Sequence, residues 1–144
     1  MKDPIAGNID AIEIDGSIGE GGGQVRSCLT LSLLTAQAFS IKNIRSRRPK
    51  PGLMPQHLGA VEASAAVGMA RTQGAHLGSQ SLLFEPRRVR PGRFEFDIGT
   101  AGSTSLVLQT VLPALSFSEA PSFVTVKGGT HVPWSPCFHY LELH

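Results

Sequence analysis

The sequence predicts an α/β (α+β) chain built as tandem copies of one strand–glycine turn–helix–strand unit. Three observations carry this reading. Apolar patterns of period two and period 3.6 alternate along the chain. Glycine and proline, 16 and 10 of 144 residues, fall in short clusters at the ends of those patterns. The segments also recur: Gly19–Gln24 precedes Gly99–Thr104 by 80 residues, and Ser40–Ile44 precedes Ser122–Val126 by 82. The first unit is assigned to residues 1–98 and the second to 99–144. The second copy lacks a closing hairpin and stops inside an expected helix, so the expectation is the front part of a longer protein.

Each element follows from its residues. Ile12–Asp15 alternates and reads as a strand entering the turn Gly19-Glu20-Gly21-Gly22-Gly23. A helix is expected from Gln24 to Ala38, with Val25, Leu29, Leu33 and Ala36 at helical spacing. Phe39–Ile44 alternates again as a strand. Arg45–Gly52 is a basic loop whose prolines fix its path. Pro55 suits the first turn of a second helix, with Leu58, Val61, Ala65 and Met69 as its buried stripe. Leu82–Phe84 and Phe94–Ile98 are expected to close a hairpin around Pro91-Gly92.

In the second unit the turn Gly99–Gly102 opens a helix from Ser103, with Leu108, Val111, Leu112 and Leu115 inward. Pro113 cannot donate to the carbonyl of Gln109, so this helix should kink or end there. Phe123–Val126 is a strand, Gly128–Trp134 a loop, and a last helix starts near Pro136.

Composition excludes several classes. Hydrophobic residues make up 41% of the chain and charged residues 17%, with a net charge of +2. That balance fits an ordinary core, neither a disordered polyelectrolyte nor a nucleic-acid coat. No apolar run reaches the roughly 18–20 residues of a spanning helix. Met1-Lys2-Asp3-Pro4 lacks the apolar stretch of a signal peptide. Cys28 and Cys137 make no disulfide framework and read as reduced thiols. A cytoplasmic protein without membrane attachment is expected.

The chemistry concentrates at the first glycine turn and the loop after it. A helix N-terminus behind glycines presents bare amides to an anion. No Lys-Ser/Thr follows the last glycine, so the turn is not a P-loop. Arg45, Arg47, Arg48 and Lys50 place four cations within six residues, leading into a helix whose first turn carries Gln56 and His57. Guanidinium forks beside a helix start suit phosphate. A solvated charge run is the alternative, and it is the preferred reading for Arg87, Arg88, Arg90 and Arg93. The five histidines show no metal-ligand spacing, His131 and His139 standing eight apart around a proline-rich loop. Zinc is not expected there, nor a Ser–His–acid triad. Ser103, Thr104 and Ser105 most simply cap a helix.

Four motifs, read together, resemble the RNA 3′-terminal phosphate cyclase family. They are Gly19-Glu20-Gly21-Gly22-Gly23-Gln24, then Arg45…Arg48-Pro49-Lys50-Pro51-Gly52-Leu53…Gln56-His57. Gly99…Gly102-Ser103-Thr104…Leu108-Gln109-Thr110…Leu112-Pro113 and Gly128-Gly129-Thr130-His131…Pro133-Trp134-Ser135-Pro136 follow in the family's order. The resemblance implies repeated units, each a four-stranded sheet backed by two helices. It implies ATP-dependent activation of an RNA 3′-terminal phosphate and closure to a 2′,3′-cyclic phosphate, through enzyme–AMP and RNA–adenylate intermediates, with Mg²⁺ or Mn²⁺ assisting. Glu20, Gln24, Arg45, Arg48, Gln56 and His57 would line the active site, with Glu20 holding the metal. Gln109 would contact ATP, and Pro136 would pack on adenine. The family's nucleophilic histidine belongs to its C-terminal part, and none of the five histidines here stands in that motif. One apolar residue, Val25, separates Gln24 from Arg26, where the family usually has two; one missing residue turns a helix by about 100°.

Two rivals remain at this level. One is a non-catalytic cyclase-like scaffold for ribosome biogenesis, binding RNA or protein. The other is a small-molecule transferase on a related repeated fold, such as the enolpyruvyl transferases.

Overall fold

The computed structural model describes residues 10–19 and 21–143. Its elements in order are β1 (Ile12–Asp15), α1 (Gly22–Thr35), β2 (Phe39–Lys42), α2 (Pro55–Gly68), β3 (Arg71–Gln73), β4 (Leu82–Glu85), β5 (Arg93–Asp97), α3 (Thr104–Ser116), β6 (Phe123–Lys127) and α4 (Phe138–Leu143). This is the mixed α/β architecture expected, with a four-stranded sheet in the order β1-β2-β4-β3 and a two-stranded sheet of β5 and β6. β1 and β2 pair in parallel, as do β5 and β6, and α1 and α3 respectively make the crossovers.

α2 packs on both α1 and α3, which also pack on each other, and it touches β5. It is therefore buried on more than one side. Of the stripe expected from Leu58, Val61, Ala65 and Met69, Val61 is fully buried and Ala65 packs partly buried on the core, whereas Leu58 is only half-buried and Met69 is an exposed left-handed C-cap. The buried surface is broader, with His57, Gly59, Ala60, Ala63, Ser64, Val67 and Gly68 also inside. Small side chains here let two neighbouring helices approach at once.

The hairpin around Pro91-Gly92 does not form. β4 is flanked by β2 on one side and β3 on the other, so no edge is left for β5. Pro86 removes a donor, and the amides of Arg87 and Arg88 turn back onto the Gly68 carbonyl at the end of α2, 3.0 and 3.1 Å away. The segment is a crossover between sheets. At its far end Arg93 is more than a solvated charge: its guanidinium stacks 4.5 Å from the centre of the Phe123 ring.

α3 starts where expected, with the Ser103 hydroxyl accepting from the Leu106 amide at 3.3 Å. Its inward face is rotated from the predicted one. Leu106, Val107, Thr110, Val111, Ala114 and Leu115 are buried, whereas Leu112 is exposed. Thr110 can enter the core because its hydroxyl donates to the Leu106 carbonyl, 2.8 Å away. Pro113 neither ends the helix nor prevents its continuation to Ser116. Thr30 of α1 donates to the Thr110 carbonyl at 2.8 Å, tying the two crossover helices together. Among the described residues no helix is long and apolar enough to cross a membrane. Cys28 and Cys137 are free thiols.

Candidate active site

The first glycine turn is shaped by one residue conformation and one close approach. Gly21 caps α1 at φ 78°, a left-handed conformation that favours glycine. At Gly22 an added Cβ would stand on the imidazole of His57, so the helix start of α1 packs directly on the helix start of α2. Among the described residues no side chain caps α1. The turn is braced by Asp15, whose carboxylate accepts from the Ser17 amide at 2.9 Å and the Asn43 side chain at 3.0 Å. Those two hydrogen bonds, Asn43 first, hold its pKa low.

Facing this turn is the basic loop. Arg45 sits in the left-handed region at φ 51°, and its Nη1 donates to the carbonyls of Lys50 at 2.7 Å and Gly52 at 2.8 Å. One side of that guanidinium therefore braces the loop. Burial, then the neighbouring charge of Arg48, lowers its pKa. The Arg48 guanidinium approaches Gly21. Between loop and turn lies a cavity of about 300 Å³, lined by Gly19, Gly21, Arg45 and Arg48 among others. Gln24 folds over the same turn, its Nε2 donating to the Asp15 carbonyl at 3.4 Å.

His57 is buried beside this cavity. Its Nδ1 accepts the Met54 amide at 3.1 Å, which leaves the ring proton on Nε2, toward Gly22. Burial, then the charges of Arg45 and Arg26, push its pKa down to about 4. Gln56, its neighbour, packs elsewhere. An added Cβ on Gly102 would meet Gln56 Cβ at 3.1 Å, so Gln56 belongs to the second glycine turn. The N-terminus of α2 thus touches both turns.

Gln109 lies apart from the first cavity. It lines an open groove of about 600 Å³ between α1 and α3 with Gly23, Arg26, Ser27, Thr30, Leu31 and Thr110. Arg26 is half-buried, its pKa lowered by that burial, and it has no hydrogen-bond or ionic partner among the described residues. Pro136 is fixed one helical turn before Gln109. Its carbonyl accepts from Ser105 Oγ at 2.5 Å, and Ser105 and Gln109, four apart, share a face of α3.

Of the expected site residues, Arg45 and Arg48 therefore line one cavity, and Gln24 and His57 pack on the glycine turn beside it without lining it. Gln109 lies on α3 with Pro136 bonded to the same helix through Ser105, and Gln56 packs on the second glycine turn. Glu20 lies outside the described residues. Sequence reasoning did not place Arg26 in the site. Its signal was available: an arginine early in a helix that has no acidic residue to pair with it.

Residues 18–144 match the RNA 3′-terminal phosphate cyclase family. The chain belongs to that family. It is 54% identical over 136 residues to an RNA 3′-terminal phosphate cyclase of Ectopseudomonas mendocina (strain ymp), covering 94% of this chain and 39% of the relative. It is 52% identical over 135 residues to one of Staphylothermus marinus, covering 93% and 38%, and 56% identical over 131 residues to one of Ralstonia nicotianae, covering 90% and 38%. The chain spans about two fifths of the length of these curated relatives.

Proposed function

We propose that these residues form the nucleotide- and RNA-phosphate-binding portion of an ATP-dependent RNA 3′-terminal phosphate cyclase, which closes a 3′-phosphate to a 2′,3′-cyclic phosphate through enzyme–AMP and RNA–adenylate intermediates. The observation that carries this reading is Arg26, half-buried and unpartnered among the described residues, in one groove with Gln109. A half-buried guanidinium with no carboxylate beside it among the described residues favours an anion from outside. The residues fit a polyphosphate: Gly21 lines the cavity with Arg45 and Arg48, and among the described residues the α1 amides behind it have no side-chain cap.

In this reading Arg26, Arg48 and the free edge of Arg45 bind non-bridging phosphate oxygens, stabilising charge as it shifts along the phosphoanhydride. His57, neutral near pH 7, offers its Nε2 proton as a donor and adds no charge of its own. Gln109 both donates and accepts, which suits a sugar hydroxyl or base edge, and Pro136 supplies an apolar surface for adenine. Glu20 would hold the Mg²⁺ or Mn²⁺ ion, which supplies further charge neutralisation when bound. The attacking histidine is assigned to the family's C-terminal part.

The test compares ATP titration and RNA cyclisation in a chain carrying the relatives' full sequence length. Arg48→Ala should lower cyclisation by at least about tenfold, the worth of one charge-assisted hydrogen bond. Gln109→Ala and Arg26→Ala should weaken the ATP response while the melt stays within a few degrees. Arg88→Ala, on the crossover, should change neither. An ATP response unchanged by both Gln109→Ala and Arg26→Ala would move the nucleotide out of the α1–α3 groove. RNA binding without cyclisation would favour the scaffold reading.

A further inference from the structure

On either side of Pro136, the loop after β6 and the start of α4 bring two imidazoles together. His131 Nε2 lies 3.4 Å from His139 Nδ1, and the ring planes are inclined at 62°. On the far side of the His131 ring, Thr130 Oγ1 is 3.1 Å from Nδ1. Loop and helix are joined by backbone, the Phe138 amide donating to the Thr130 carbonyl at 3.2 Å. The pairing is therefore built into the chain path. Both histidines are exposed.

We propose that His131 and His139 form a two-imidazole chelate for a borderline divalent ion of the Zn²⁺ class. The geometry selects the ion. Zinc–nitrogen bonds are about 2.0–2.1 Å, so two nitrogens 3.4 Å apart and both bound would subtend about 110°, near the tetrahedral angle. Octahedral Mg²⁺ needs a right angle between neighbouring ligands and prefers oxygen, which imidazole nitrogens do not supply. A ligating pair must present two lone pairs. Thr130 can provide for one of them: in the tautomer of His131 protonated at Nδ1 its hydroxyl accepts the Nδ1–H, and the Nε2 lone pair then faces His139. His139 offers Nδ1 and keeps its proton on Nε2. Among the described residues no group of three or more His, Cys, Asp or Glu side chains converges. The remaining positions therefore fall to water or an anionic oxygen, which makes the site open.

Zinc titration of the chelator-treated chain tests this. One Zn²⁺ should bind per chain. His131→Gln and His139→Gln should each weaken binding by at least about tenfold. Thr130→Val should weaken it by about tenfold at unchanged stoichiometry, as expected for loss of an orienting hydrogen bond. His76→Gln and Cys137→Ser should leave it unaltered, and far-UV circular dichroism should be unchanged throughout. Absence of saturable zinc binding, loss in only one of the two histidine variants, or loss on Cys137→Ser would overturn the proposal.

Discussion

His57 is held from both ends, its Nδ1 taking the Met54 amide and its Nε2 abutting Gly22. A proton added to that ring must go where an amide already donates, between the charges of Arg45 and Arg26. Burial of the ring, and after it the charges of Arg45 and Arg26, push its pKa from 6.5 down to about 4. The sign of the linkage follows. The unfolded chain takes up the proton near pH 6.5, the folded chain only near 4. The stability tied to neutral His57 is thus complete above about pH 6.5 and is lost as pH falls toward 4, to a limit of about 3 kcal/mol. Asp15, held low by Asn43 and Ser17, acts in a separate window: its stabilisation is lost only as pH falls below its ordinary value of 3.8. Denaturant midpoints measured from pH 7 to 4 should therefore fall in the wild type. They should fall much less in His57→Asn, whose amide oxygen can take the Met54 N–H without titrating. Equal falls in the two proteins would place the acid sensitivity elsewhere.

At the scale of elements, α1 decides the sign of a familiar substitution twice over. Alanine is ordinarily better than glycine inside a helix by about 1 kcal/mol. At Gly23 only an Arg26 nitrogen comes within reach of an added Cβ, at 3.9 Å, so Gly23→Ala should be neutral or stabilising. At Gly22 the same methyl would displace the His57 ring, and Gly22→Ala should destabilise by about 1–3 kcal/mol. The double variant Gly22→Ala/His57→Ala should recover part of the loss relative to the sum of the single changes, as a thermal or denaturant cycle would show. Strict additivity would mean that the two residues do not meet. This contact also marks the limit of what the sequence discloses. The glycine turns, the basic loop, the cap at Ser103 and most of the strands and helices are legible because each is written in local residue types, whereas the three-residue β3, Arg71-Thr72-Gln73, is too short and polar to show an alternation. The Gly22–His57 contact joins residues far apart in the chain, and nothing local records it. The β5–β6 pairing was missed for a related reason. Two strand-like segments flanking Pro91-Gly92 look like a hairpin, and only the closure of both edges of β4 forbids it. The inward face of α3 was misjudged because Thr110 is polar by type yet satisfied within its own helix.

For the whole molecule, the two sheets share one core. α2 packs on α1 of the first β–α–β segment and on α3 of the second, and a Cβ added at Gly59 of α2 would come into van der Waals contact with Ile98 and Val107. Val25, Val61, Val107 and Val111 are fully buried within one continuous cluster. The described chain should therefore unfold as one cooperative body and not as two independent units. Val107→Ala tests this, because Val107 belongs to the second segment by sequence and to the shared core by contact. Removing two buried carbons should lower stability by about 2 kcal/mol. The informative measurement is native-state hydrogen exchange, which reads stability amide by amide. If the core is shared, the most protected amides of β2 and β4 should lose the same free energy as those of β5 and β6, although Val107 lies in neither β2 nor β4. If protection falls only in β5, β6 and α3, the units open separately, and α2 is an interface between them, not the centre of one core. The distinction bears on the proposed function. The groove holding Arg26 and Gln109 has one wall on α1 and the other on α3. Its width is fixed before nucleotide arrives only if those helices belong to the same cooperative body.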